Sequence, residues 1–293
     1  MNGSAWAAVS PCTAACVADD LPGAGAGPAV TVRRYAALVA SLAGAAAAGK
    51  RLGEREELRA RARSLLADLG VSLSCEADGL AVPVPGARTG TLVVANHISW
   101  LDVLALLAVQ PAAVLAKREV GQWPVVGTLV RRAGTRFIDR EGLRGLPDTV
   151  RELGALLRSG ESVIVFPGGT TWCSGPGDPF RRATFQAALD AGAPVRPVTL
   201  TYAHHGAPTT LPAYVGEGTF AASLRRVAAT RGLSVRVTPH SVLHPPGHDR
   251  RSLAALAHAA VSGARETVPA PRTPGLPSHA AVGHAAAVPA LLL

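Results

Sequence analysis

The sequence predicts an α/β domain, and three observations carry that prediction. Short apolar, β-branched runs of strand length recur at 91–95, 113–116, 135–138, 162–166 and 195–202. Between them lie stretches with helical spacing, such as Leu146 to Arg158, where Val150, Leu153, Leu156 and Leu157 share one face. Glycine and proline punctuate the joins, as at Gly160, Gly192 and the segment from Pro83 to Gly90. Strands alternating with helices over roughly residues 85–205 argue for one α/β unit.

Bulk properties set the limits. With 293 residues, 48% hydrophobic and 17% charged, the chain can bury one substantial core. Its 29 Lys and Arg against 20 Asp and Glu give a net charge of +9, which favours an anionic partner. Aromatics make up only 4%, so platforms for stacking bases are scarce and no nucleic acid is expected. An anionic membrane surface is the partner that remains. Cys12, Cys16, Cys75 and Cys173 are too few and too scattered for a disulfide framework, and the Cys12/Cys16 pair lacks matching partners for a zinc site. A reducing cytosol and a protein without metal are the expectation.

Taken in order, residues 1–28 are rich in Ala, Gly and Pro without periodicity and read as a disordered leader. Residues 29–84 read as a membrane-associating helical segment. Within it, Tyr35 to Gly49 is Ala-rich, flanked by Arg33-Arg34 and Lys50-Arg51, and short of the roughly 20 residues that cross a bilayer. An interfacial anchor fits it better, and a signal peptide fits less well because the stretch starts so far into the chain. Residues 51–69 form an arginine-rich amphipathic pattern with Leu52, Leu58, Ala62, Leu65, Leu66 and Leu69 apolar. That pattern suits a membrane-surface helix or one packed on its own domain.

The catalytic unit is expected over 85–248, with its core at 91–202, and 249–293 as a helix remnant and low-complexity tail. Further helices are expected within 123–132, at 180–191 and at 221–231, with a strand at 234–238. His240, His244 and His248 have metal-ligand spacing for a helix, but Pro239, Pro245 and Pro246 break that helix, so no metal is assigned there.

The most informative stretch is TLVVANHISWLD, Thr91 to Asp102. The strand ends before His97, and Ser99 reads as the N-cap of a helix whose third residue is Asp102. With His97 before the cap and Asp102 in the first turn, the chain can fold back so that the carboxylate holds one imidazole nitrogen and leaves the other as a base. The alternative is that Ser99 and Asp102 only form a capping box.

Four segments fall at strand ends: Asn96-His97 with Asp102, Gly134 to Arg140, Phe166-Pro167-Gly168-Gly169-Thr170, and Val195 to Val198. Strand ends are where ligands gather in open α/β sheets. In order and spacing the four together resemble the glycerolipid acyltransferases of the 1-acyl-glycerol-3-phosphate acyltransferase type, over about 110 residues from Thr91 to Tyr202. The resemblance implies a single domain with a mixed sheet flanked by helices, on the cytoplasmic face of the cell membrane, peripherally or weakly anchored. It implies acyl transfer from acyl-CoA or acyl carrier protein, as co-substrate, to the free hydroxyl of a lysophospholipid, giving phosphatidate if the acceptor is 1-acyl-glycerol-3-phosphate. A thioester is already activated, so the reaction requires no cofactor.

By the same resemblance, His97 is the general base and Asp102 fixes its tautomer. Gly134, Arg136, Phe137 and Arg140 form the second motif, in which Arg140 holds the acceptor phosphate and Arg136 assists. Phe166, Pro167, Gly168, Gly169 and Thr170 close around the glycerol phosphate, and Pro197 occupies the fourth motif. One departure stands out: the family's third motif reads Phe-Pro-Glu-Gly-Thr, and here Gly168 replaces the carboxylate. Losing a charged partner in a buried polar site costs about 2–5 kcal/mol. The substitution therefore raises two alternatives: another lysolipid acceptor, such as lyso-ornithine lipid, or a catalytically impaired lipid-binding homologue. Lys117-Arg118 and Arg181-Arg182 are candidates for CoA phosphates or the membrane surface. Cys173 as a nucleophile is disfavoured because no oxyanion loop accompanies it.

Overall fold

The computed structural model describes residues 10–17, 25–122, 126–138, 145–173 and 177–266. Among these residues an eight-stranded mixed sheet forms the centre. Its strands follow the order β1 (Val71–Cys75), β8 (Leu233–Pro239), β6 (Val195–His204), β2 (Leu92–Ala95), β5 (Val163–Val165), β3 (Ala113–Lys117) and β4 (Arg136–Ile138), with the short β7 (Ala207–Pro208) folded back on β6. Neighbours run parallel except at β6–β8 and β6–β7. The carboxyl ends of β2, β5, β3 and β4 therefore share one edge.

Period-two alternation sorts the strand residues onto two faces. Val93 and Ala95 face one core with Ile164, Val198 and Leu200, covered by α2 (Arg55–Asp68) and α3 (Leu101–Val109). Leu92 and Val94 face the other with Val163, Val165 and Val195, covered by α5 (Leu146–Arg158), α6 (Ala183–Ala191) and α8 (Arg250–Glu266). Every residue of β2 is buried, which explains why it reads as an uninterrupted apolar run. The remaining helices are α1 (Pro28–Ala48), α4 (Val126–Arg132) and α7 (Phe220–Ala228).

The expected elements recur within a few residues. α5 buries Leu153 and Leu157, with Val150 and Leu156 packed beside them. It is followed by Gly160 at φ +89°. α6 ends on Gly192 in the left-handed conformation. Gly90 is required for a different reason: a Cβ there would lie 2.0 Å from the Glu161 carbonyl oxygen, so the chain entering β2 passes directly against the turn entering β5.

Residues 10–17 of the expected disordered leader are folded, with a 3-10 turn at Ala14–Cys16 and Cys12, Cys16 and Val17 buried in the first core, and two further expectations need correction. The segment expected to be helical through residue 84 contains β1, which pairs in parallel with β8 through Val71↔Leu233. The expected helix remnant after 249 is the 17-residue α8, whose Leu253, Ala254, Ala257 and Val261 belong to the second core. Of the two readings of the arginine-rich segment, packing on its own domain is the one realised. α2 buries Leu58, Ala62 and Leu66, while Arg59 and Arg63 donate to the carbonyls of Val109 and Ala108 at the end of α3. No helix among the described residues is long and apolar enough to cross a membrane.

Candidate active site

The site is built where β2 leaves the sheet. Asn96 continues the strand pairing with its side chain, Oδ1 accepting from Leu200 N at 2.7 Å and Nδ2 donating to Leu200 O at 3.0 Å. That substitution of an amide side chain for backbone frees the next peptide to turn. His97 follows, and its Nδ1 lies 2.8 Å from Asp102 Oδ2.

Asp102 is fully buried and collects four donors. Oδ2 also accepts from the backbone N–H of Ile98 at 2.6 Å and Ser99 at 2.9 Å, and Oδ1 accepts from the Tyr202 hydroxyl at 2.6 Å. A carboxylate so surrounded acts only as acceptor, so the imidazole is the donor and Nδ1 carries the hydrogen. Nε2 then presents its lone pair, and it hydrogen-bonds to no other described residue. The Phe166 ring stacks on the imidazole, centroids 4.1 Å apart and planes 20° apart, fixing its orientation.

The cap differs from the expectation. Trp100 occupies the N-cap position in helical conformation and makes no side-chain cap, which places Asp102 in the second helical position. Asp102 bonds back to Ser99 N as a capping box would, and holds His97 with the same oxygen. The two readings of this stretch are one arrangement, with the helix terminus and its partial positive charge serving the carboxylate.

Two loops close over the histidine. Trp172 N donates to the His97 carbonyl at 2.9 Å, Tyr214 N to Ile98 O at 2.9 Å, and Thr171 Oγ1 to Tyr214 O at 2.6 Å. Phe166 to Thr170 thus lies directly beside His97. Gly169 takes φ +79°, whereas a Cβ at Gly168 would meet nothing within 4 Å. Pro167 O accepts from Arg181 N at 3.0 Å, which brings the Arg181-Arg182 pair to this loop. Lys117 and Arg118 stand at the carboxyl end of β3, on the same edge.

The other expected positions are farther away. Pro197 is buried in β6 opposite Val94, where the β8 ladder has ended, so its missing N–H costs little. Gly134 turns the chain into β4 at φ +83°, and Phe137 packs over Gly121. β4 is the edge strand, three strand spacings or about 14 Å from β2. Arg136 Nε lies 2.8 Å from a carboxylate oxygen of Glu152 of α5, a partly exposed surface pair. Arg140 lies outside the described residues. Tyr202 is the participant that the sequence reading missed. The available signal was a phenol within a largely buried strand, where its hydroxyl must find a partner.

A family model described as acyltransferase matches residues 82–201. The chain is 39% identical over 177 residues to a 1-acyl-sn-glycerol-3-phosphate acyltransferase of Neisseria meningitidis, covering 60% of this chain and 67% of the relative. It is 34% identical over 189 residues to a lyso-ornithine lipid O-acyltransferase of Pseudomonas aeruginosa, covering 64% and 73%. The chain belongs to the glycerolipid acyltransferase family. The fold of this acyltransferase is that of the crystal structure of the 1-acyl-sn-glycerophosphate acyltransferase PlsC from Thermotoga maritima, with a TM-score of 0.58 over 82% of this chain and 94% of that one at 22% identity.

Proposed function

We propose that this acyltransferase transfers an acyl chain from acyl-CoA or acyl carrier protein to the free hydroxyl of 1-acyl-glycerol-3-phosphate, giving phosphatidate. The observation that carries the mechanism is the His97 imidazole held through Nδ1 by Asp102, with Nε2 left as acceptor. In this reading the acceptor hydroxyl donates to Nε2. As its oxygen attacks the thioester carbonyl, the proton passes to the ring and the imidazolium is stabilised by Asp102. Collapse of the tetrahedral intermediate breaks the carbon–sulfur bond, and the imidazolium returns the proton to the departing thiolate. Positioned general-base catalysis of this kind contributes about 10²–10⁴-fold.

Arg140 is assigned the acceptor phosphate from its place in the second motif, and a guanidinium suits the task because its fork matches phosphate oxygens. The loop Phe166 to Thr170, beside the base, is assigned the glycerol phosphate. Arg181, Arg182, Lys117 and Arg118 are assigned to the donor's phosphates or to the membrane surface. For membrane docking, α1 is the best supported element: Val32 and Val39 are 67% and 65% exposed, and Ala29, Ala36, Ala40, Ala43 and Ala47 are exposed on the same helix. With Arg33 among them and Lys50-Arg51 at the end, this suits a peripheral helix on an anionic leaflet, and the cytoplasmic face is the one proposed.

A second acceptor reading rests on Gly168, where the family has glutamate, together with the similarity to lyso-ornithine lipid acyltransferases. Side-by-side assays with lysophosphatidate and lyso-ornithine lipid, at one acyl-CoA concentration, decide between them. A larger kcat/KM for lysophosphatidate supports the phosphatidate reading, and a larger value for lyso-ornithine lipid replaces it.

A further inference from the structure

In the sequence, Cys12 and Cys16 have no partners at the spacing of a zinc site. The fold supplies one from 161 residues away. Cys12, Cys16 and Cys173 are all buried, and their sulfurs lie within 4.8 Å of one another, with Cys12 Sγ and Cys173 Sγ 3.3 Å apart. Tetrahedral zinc with Zn–S bonds of about 2.3 Å needs sulfurs roughly 3.8 Å apart, so small side-chain shifts bring all three onto one ion. Cys12 and Cys16 also have the short spacing common in zinc ligand pairs.

Two backbone groups favour the metal-binding form of the sulfurs. Cys173 N donates to Cys12 Sγ at 3.4 Å, and Thr13 N donates to Cys16 Sγ at 3.5 Å. Such N–H donors orient metal ligands and stabilise negative sulfur, and the Thr13 contact also caps the 3-10 turn Ala14–Cys16.

We propose that Cys12, Cys16 and Cys173 bind one soft or borderline divalent cation, zinc first, and thereby clamp the segment 10–17 onto the loop that closes the active site. Binding displaces the three thiol protons to solvent and leaves a fourth coordination position for water or an exogenous ligand. The clamp is next to the chemistry: Cys173 follows Trp172, whose N–H holds the His97 carbonyl. The clamped segment also rests on Gly216, where a Cβ would come within 3.1 Å of Ala14 N. The site is distinct from the acyl-transfer machinery and does not depend on which lysolipid is the acceptor.

The test uses the full chain, purified in detergent under reducing conditions without chelator. Elemental analysis is expected to find one zinc per chain. Cobalt(II) in its place should give the thiolate charge-transfer band and the intense visible bands of a tetrahedral site. Cys16→Ala keeps the Cys12/Cys173 pair but removes the third thiolate. It should weaken zinc binding by at least about a hundredfold, beyond the 10–100-fold cost of losing an outer-shell partner. On the unmutated chain, zinc alone should protect Cys12, Cys16 and Cys173 from alkylation and leave Cys75 as reactive as before. That measurement stands even if the variant fails to fold. The proposal is overturned by a folded chain that gives no cobalt–thiolate band, by zinc content or affinity unchanged in Cys16→Ala, or by a Cys12–Cys173 disulfide in place of the metal.

Discussion

Asp102 is the residue on which the account turns, because its two oxygens tie together a base, a helix start and a distant strand. Tyr202 donates to it at 2.6 Å from 100 positions away, so Tyr202→Phe tests the arrangement without touching a group that meets substrate. A hydrogen bond to a charged group is worth about 1.5–3 kcal/mol, and the variant should lose about that in urea unfolding. Its kcat should fall several-fold, about 1 kcal/mol in barrier, with KM nearly unchanged. The pH dependence has a definite sign. Burial, and then the Asp102 charge, push the Tyr202 phenol well above its ordinary value of 10.0, so folding favours the protonated form. That contribution is complete below about pH 10 and declines as pH rises beyond the unfolded value. The wild-type unfolding midpoint should therefore drop more steeply than that of Tyr202→Phe above pH 10, and parallel curves would contradict the assignment. At position 168 there is room for a side chain and no positive φ, so Gly168→Glu should fold like the parent. It should raise kcat/KM for lysophosphatidate at least about tenfold, part of the 2–5 kcal/mol a buried charged partner is worth. No gain, with good native turnover of lyso-ornithine lipid, would mark the loop as adapted to another acceptor. The His97–Asp102 pair was legible because both members sit within one strand-to-helix corner. Tyr202 and Cys173 were not, since their partners are brought to them only by the sheet and its loops.

At the scale of elements, legibility followed burial. β2 and β5 are covered on both faces and announce themselves as apolar runs; α5 shows its period because one face is buried and the other solvated. β1 reads Val-Ser-Leu-Ser-Cys on the sheet edge, a short apolar/polar alternation that fits a half-exposed strand but directly follows the helical pattern of α2. α8 is Ala-rich, and only Leu253 and Val261 of its core residues are larger than alanine, so its sequence differs little from the Ala-rich tail that follows. The tightest test of the packing is Gly90, where the backbone of two strand entries meets. Gly90→Ala should cost about 1–3 kcal/mol by overpacking and leave the chemistry of the folded fraction unchanged. Chemical denaturation with a parallel activity titration checks both halves of that statement.

For the whole molecule, the net charge of +9 and the exposed Val32 and Val39 of α1 are the two features on which the proposed docking to an anionic surface rests. Flotation with anionic vesicles should recover the chain at low salt and less of it as salt screens the attraction. Replacing Val32 and Val39 by Asp should weaken recovery at least about tenfold, since burying a valine contributes roughly 1.5 kcal/mol or more. Equal recovery would move the docking surface elsewhere.

The central claim is that His97, held by Asp102, activates the acceptor hydroxyl. The most direct test is thiol release from acyl-CoA in the presence of lysophosphatidate and detergent, comparing the natural chain with a folded His97→Ala variant. The account predicts turnover that falls by about 10²–10⁴-fold in the variant, the span of a positioned general base. Equal turnover in the two chains would contradict it.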